Sequence, residues 1–250
     1  MRREFLGFLV LALSWPACWA EQIVIGDDGS VSGRFGLAAS GAKAIALNFG
    51  LPPVSPVQRR HEQDVFRTEW ISNGIRYTQT VLITALGAGN ANAATTAAKL
   101  PVLLVNIEGE NTNTSYTEAS AELALSVDGN RRELELKDGL IWSVQSEARA
   151  ALGALEIPES GIKLSRGEVL KFSGNMPPSL KGSMTIKIPL EHADEQQPGD
   201  RLRDLDFQEE LRQALKPKRA GPGKEHWALA FAPRPQSKAA NSAPPGAAAR

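Results

Sequence analysis

The stretch Val65-Phe66-Arg67-Thr68-Glu69-Trp70-Ile71-Ser72-Asn73-Gly74-Ile75-Arg76-Tyr77-Thr78-Gln79-Thr80-Val81-Leu82-Ile83 decides the fold class. β-Branched and aromatic residues on both sides of an Asn-Gly pair predict two strands joined by a tight hairpin, because Asn and Gly enter left-handed backbone at little cost. In the second arm Ile75, Tyr77, Gln79, Val81 and Ile83 fall on one face, while Arg76, Thr78, Thr80 and Leu82 fall on the other. The first face reads as buried.

The pattern continues in both directions. Upstream, Gln22 to Ile25 and Lys43 to Phe49 read as strands, with a turn at Asp27-Asp28-Gly29. Pro52, Pro53 and Pro56 remove three backbone donors, which makes Leu51 to Pro56 a surface connection. Downstream, the small-residue stretch 87–99 reads as a loop, and Pro101 opens the strong run Val102 to Ile107. After a polar turn region from Glu110 to Thr117, the residues Ala119, Ala121, Leu123, Leu125 and Val127 alternate up to Asp128-Gly129-Asn130. Arg132 to Leu136 then reads as the return arm, and Asp138-Gly139 leads into Leu140 to Val144. Glu147 to Leu155 fits a helix or a strand. Further strands are expected at Ile162 to Leu164, Val169 to Phe172 and Ser183 to Pro189, around the rigid Asn175-Met176-Pro177-Pro178. About ten strands with short turns predict a mainly β chain, an antiparallel β-sandwich over residues 21–203.

The rhythm changes at 204–215, where Leu205, Phe207, Leu211 and Leu215 take helical spacing behind a cap at Asp204 or Asp206. Pro217 ends that run. Residues 216–250 hold ten alanines, six prolines and three glycines, a composition that builds no core and reads as a disordered tail with a short apolar anchor at Trp227 to Phe231.

At the other terminus, Arg2 and Arg3 precede an apolar run from Leu6 to Leu13, then Pro16 and the small-x-small approximation Cys18-Trp19-Ala20. This is the grammar of a secretory signal peptide over residues 1–20, too short to span a bilayer as a stable segment. The expected location is periplasmic or extracellular. Cys18 is the sole cysteine, and Trp15 and Pro16 fit a lipobox badly, so a lipid anchor is not expected there. Cleavage after Ala20 leaves a mature chain with no disulfide.

Formal net charge is zero, but it is unevenly placed. The tail 216–250 carries seven basic residues against the single Glu225, whereas 21–215 carries 19 basic against 26 acidic residues. An acidic body argues against nucleic acid as a partner, since a phosphate backbone requires a positive footprint.

No complete catalytic constellation is visible. His61, His192 and His226 stand apart, without the spacing of metal ligands, and the glycines match no phosphate-binding fingerprint; neither metal nor cofactor is expected. Paired carboxylates across a sheet are invisible in sequence. Glu108, Glu110 and Glu118 lie near one expected strand end, where Asp64 or Glu69 could approach them, the pairing a glycoside hydrolase needs; a solvated acidic edge is the plainer reading. Flat aromatic side chains suit the apolar faces of sugar rings, which makes Trp70, Trp142 and Tyr116 the candidates for carbohydrate contact.

The string Phe66-x-x-x-Trp70-x-x-x-Gly74-Ile75-x-Tyr77-x-Gln79-Thr80-Val81, followed by Pro101-Val102-Leu103-Leu104-Val105-x-Ile107 and Glu110-Asn111-Thr112, resembles the N-terminal β-supersandwich domain of bacterial six-hairpin glycosidases. In those enzymes the domain precedes an (α/α)6 barrel, and Leu205-Asp206-Phe207-Gln208-Glu209-Glu210-Leu211 is similar to the short helix that links the two. The resemblance covers residues 22–215 and rests on strand and turn residues. It implies that catalytic carboxylates belong to the barrel, so no residue here inherits a catalytic role. Where the linker helix should continue, Lys216-Pro217-Lys218-Arg219 opens the tail, as in a truncated or frame-shifted relative. The expected function is that of an exported glycosidase-associated sandwich, non-catalytic alone, with carbohydrate contact and a separate helical-barrel domain as expected partners. Because related supersandwich folds include mutarotases, the resemblance also implies a sugar-active alternative, for which His61 with Glu108 or Glu110 is the one pair that can be nominated; a cell-envelope structural or interaction protein is the further alternative.

Overall fold

The computed structural model describes residues 21–35, 43–51, 53–86, 100–143, 153–156, 163–165, 167–191, 198–217 and 227–234. The expected signal peptide, the 87–99 loop, His192, His226 and most of the expected tail lie outside these residues. In chain order the elements are β1 (Glu21–Ile25), β2 (Val31–Phe35), β3 (Lys43–Asn48), β4 (Gln58–Glu62), β5 (Val65–Ser72), β6 (Ile75–Leu86), β7 (Leu100–Asn111) and β8 (Thr117–Val127). They continue as β9 (Asn130–Arg131), β10 (Leu134–Lys137), β11 (Leu140–Ser143), β12 (Gly153–Glu156), β13 (Lys163–Ser165), β14 (Val169–Met176) and β15 (Lys181–Pro189), then α1 (Pro198–Arg203), α2 (Phe207–Ala214) and β16 (Trp227–Phe231).

Two eight-stranded sheets result. The first runs β13-β14-β8-β3-β2-β1-β16 with β9 branching from β8; the second runs β10-β11-β12-β15-β7-β6-β5-β4. Asn73 and Gly74 both take positive φ, 49° and 74°, and Ser72 pairs Ile75, which is the expected hairpin turn. Its twist matches that of the strands it joins. The apolar faces of the two sheets meet in one core that includes Ile23, Ile45, Leu125, Phe172, Trp70, Val105 and Ile186. The mainly β, sandwich-type fold is therefore as the alternation in the sequence predicts.

The second sheet is covered on its other face as well. Val65, Leu82, Val102, Leu104 and Ala154 point away from the main core and pack against Leu202 of α1 and Phe207 of α2. This explains why Val102 to Val105 reads as an unbroken apolar run instead of alternating: both faces are buried. Asp206 caps α2 by accepting from the backbone amides of Gln208 and Glu209. Glu210 accepts from the Thr84 hydroxyl on β6. Lys187, 1% exposed, crosses the same face and donates from Nζ to the Arg203 carbonyl at 2.9 Å, with Glu156 Oε2 at 3.1 Å.

Several expectations change. The return arm at Arg132 to Leu136 does not form as one strand: β9 pairs with β8 in the first sheet, and the chain then crosses to the second sheet as β10. β4 and α1 were not expected. The sequence Gln58-Arg59-Arg60-His61-Glu62 carries no alternation because β4 is an edge strand with no fully buried residue, and its charges protect that edge. Within the expected tail, Trp227 to Phe231 is a strand, paired in parallel with β1.

Candidate functional site

The hairpin tips at one end of the sandwich form the most organised exposed polar region among the described residues. β6 starts there at Ile75, β7 ends there at Asn111, β8 starts at Thr117, and β15 starts at Lys181. The register of Ile75 with Asn111, Lys181 with Glu110 and Met176 with Thr117 brings three tips together: 73–74, 112–116 and 177–180.

Asn111, 1% exposed, organises this end. Its Nδ2 donates to the Ser115 carbonyl at 3.0 Å and the Met176 carbonyl at 2.8 Å. Its Oδ1 accepts from the Asn113 amide at 2.9 Å and the Thr117 hydroxyl at 3.1 Å. Two donors and two acceptor positions are thus all used, the full capacity of an asparagine side chain. Its backbone amide also donates to the Leu180 carbonyl, and its carbonyl accepts from the Ser179 amide, both at 3.1 Å. Thr112 donates its hydroxyl to the Gly74 carbonyl at 2.7 Å, and Asn113 Nδ2 donates to Thr117 Oγ1 at 2.9 Å. These bonds fix the loop 112–116 from beneath.

At the end of this loop, just before β8, stands Tyr116, 71% exposed. Thr112, Asn113, Thr114 and Ser115 beside it are also exposed and offer hydroxyl and amide groups. Such an arrangement supplies an exposed aromatic face next to hydrogen-bonding groups on the same loop. It supplies no acid and base in register.

The other aromatic candidates lie elsewhere. Trp70 is 2% exposed, on the inner face of the second sheet, stacked on Tyr77 with ring centroids 5.7 Å apart. A ring closed in on both sides has no face left for a sugar, so Trp70 is a core residue. Trp142 is partly buried on β11, on the same sheet's outer side with Leu140, and its indole nitrogen is buried with no hydrogen-bond partner among the described residues. The three aromatics therefore do not share one surface.

His61 does not meet Glu108 or Glu110. The ladder His61, Phe66, Val81, Val105 places His61 on the inner side of the sheet, where it stacks on Phe66 at 4.1 Å. Glu108 and Glu110 lie three and five residues beyond Val105, an odd displacement that puts them on the opposite face. Three strand spacings, about 14 Å, separate the strands as well. Both glutamates are engaged with cations: Glu108 with Lys181 at 3.3 Å, and Glu110 with Arg76 at 3.4 Å. Among the described residues no three His, Cys, Asp or Glu side chains gather as metal ligands. No described helix is long and apolar enough to cross a membrane.

Sequence reasoning found Tyr116 as an aromatic and 110–117 as a polar turn, but missed Asn111 as its organiser. The signal was present: an asparagine opening the run Asn-Thr-Asn-Thr-Ser is the composition of side-chain-to-backbone turns.

Burial pushes the Tyr77 phenol up from 10.0 to about 12. The unfolded chain releases this proton near pH 10, the folded chain near 12, so the folded state holds more protons between those values. Stability contributed by neutral Tyr77 is then complete below pH 10 and is lost as pH rises toward 12. Denaturation midpoints followed from pH 9 to about 12 are expected to fall more steeply in the native chain than in Tyr77→Phe, which has no phenol to ionise.

The fold and this loop end define a two-sheet β-sandwich with a helical cover on one face and an ordered polar tip bearing an aromatic. No protein-family model, no curated protein and no solved structure matches the chain.

Proposed function

We propose that the chain is an exported, non-catalytic β-sandwich that contacts carbohydrate through the Tyr116 end, with the parentage of the six-hairpin glycosidase supersandwich. The observation that carries this reading is Tyr116 itself, 71% exposed on a loop anchored by the saturated hydrogen bonds of buried Asn111. A preordered loop has little conformational entropy left to lose on binding, so weak stacking and a few hydrogen bonds yield usable affinity. Sugar rings complement such a surface with apolar C–H faces and outward hydroxyls. Export rests on the signal-peptide grammar of residues 1–20, with cleavage after Ala20.

The separation of His61 from Glu108 and Glu110 by a whole sheet argues against acid/base chemistry by that pair. A helical-barrel partner, for its part, finds the apolar half of the second sheet's outer face already occupied by α1 and α2.

Glycan-array binding by the purified protein tests the reading. Native protein is expected to bind a subset of glycans, and Tyr116→Ala to weaken that binding by about tenfold or more, the equivalent of ~1.4 kcal/mol. The thermal midpoint of the variant should stay near that of the native chain, because substitution of an exposed side chain away from packing and caps changes stability by about 0.5 kcal/mol or less. Absence of binding to every glycan at high protein concentration would sink the proposal.

A further inference from the structure

The edge of the first sheet at β1 is filled by a strand delivered from far along the chain. β16 pairs with β1 in parallel over its whole length, from Glu21 with Trp227 to Ile25 with Phe231, and the Ala232 amide donates to the Ile25 carbonyl at 2.8 Å. Alternate residues Trp227, Leu229 and Phe231 pack on the core, while Ala228 is exposed. Phe231 meets the edge of Phe66 at 5.0 Å and lies under the Arg59 guanidinium at 5.1 Å. Arg59 Nη1 donates to the Ala232 carbonyl at 2.6 Å, and its Nη2 stands 2.6 Å from Asp27 Oδ1, a close ion pair with off-line geometry. Arg234 Nη2 donates to the Val57 carbonyl at 2.8 Å. Arg59, on the edge strand of the second sheet, thus clamps both the β1–β2 turn and the end of β16.

These are the elements of strand addition: main-chain ladder bonds for affinity, and seats for alternate side chains for selectivity. Two features make the occupant separable. No residue of β16 is fully buried. It is also joined to the body only through residues 218–226, from an α2 that packs on the outer face of the other sheet. A parallel neighbour is never delivered by a tight hairpin, so nothing in local chain geometry obliges β1 to receive the strand of its own chain.

We propose that the β1 edge, with the Arg59 clamp, is a strand-acceptor site that takes the Trp227–Phe231 segment of a second copy. Reciprocal exchange restores every contact made in the monomer, and so costs mainly the entropy of association. The segment of the same chain competes at an effective concentration on the order of millimolar, so exchange grows as the protein concentration approaches that range.

Disulfide trapping in the chain carrying Cys18→Ser tests this. Gln22 and Ala228 face each other in the ladder and are both exposed, so a cysteine at each reports the pairing without entering the core. The chain with both Gln22→Cys and Ala228→Cys should close an internal disulfide. A mixture of chains carrying one substitution each, oxidised slowly at a few hundred micromolar, about the range where exchange competes, should give a covalent dimer whose digest contains the 22–228 cross-link. Adding Phe231→Asp to the Gln22→Cys chain empties its acceptor and should raise that yield severalfold; adding it to the Ala228→Cys chain spoils the donor and should abolish it. An internal disulfide in the double variant, with no 22–228 dimer from the unmodified mixture, would overturn the proposal even if the Phe231→Asp chains fail to fold.

Discussion

Trp70→Ala is expected to lower the free energy of unfolding by about 3–5 kcal/mol, the cost of deleting a large buried aromatic and leaving a cavity that cannot collapse. Trp70 sits where the two sheets face each other, stacked on Tyr77 across the β5–β6 pair. The tip of its ring abuts the turn of the opposite sheet: a Cβ added at Gly29 would lie 3.0 Å from Trp70 Cη2. Gln79, on the same inner face, donates from Nε2 to the Gly29 carbonyl at 2.6 Å, which fixes that turn against the tryptophan. This bond, already short, resists closure of the sheets over the lost volume. Urea denaturation followed by far-ultraviolet circular dichroism measures the loss. A change under about 1 kcal/mol would place Trp70 outside the core. The same burial makes Trp70→Ala an unsuitable probe of carbohydrate contact, since reduced binding would report unfolding.

Phe207→Ala is expected to cost a similar ~3–5 kcal/mol, and to act differently. α2 has eight residues, too few for a helix to persist in water on propensity alone. Phe207, its first residue, is buried against a cluster that includes Leu82, Val102, Leu104 and Leu202. Truncating it removes the most buried side chain of α2, leaving the partly buried Leu211, Ala214 and Leu215, the Asp206 cap and the Glu210 bond to Thr84 to hold the helix. The uncovered side of β6 and β7 then presents Leu82, Val102 and Leu104 to water, an apolar patch on the widest part of the sheet. Faster amide exchange in α1 and α2, with binding of a hydrophobic dye, is expected before global unfolding. Unchanged exchange in the helices would mean that they are held by something other than this packing.

The two variants also mark where sequence reasoning succeeded and where it stopped. The β5–β6 hairpin was legible because Asn73-Gly74 and the alternation around it are local signals, and local signals survive any tertiary arrangement. The Asp128-Gly129 and Asp138-Gly139 turns were legible on the same ground, with all four residues at positive φ. The α2 helix was legible from spacing and cap chemistry, with Asp204 or Asp206 as its cap; the structure uses Asp206. β4 was not, because an edge strand whose inward side chains are Arg59 and His61 leaves no apolar periodicity. Trp70 was read as a contact candidate because a tryptophan beside a turn looks alike in sequence whether it faces solvent or the opposite sheet.

By itself, then, the sequence determined strands, turns, the short helix and the mainly β class, all of which follow from backbone preferences and side-chain periodicity over a few residues. Only the tertiary structure decided that α1 and α2 lie back on the second sheet and that Trp227 to Phe231 pairs with β1. It alone decided that His61 and the two glutamates occupy opposite faces, and that Tyr116 remains outside while Trp70 does not. Those outcomes depend on which faces meet across long stretches of chain. That is set by the summed burial of many side chains, and no single segment encodes it.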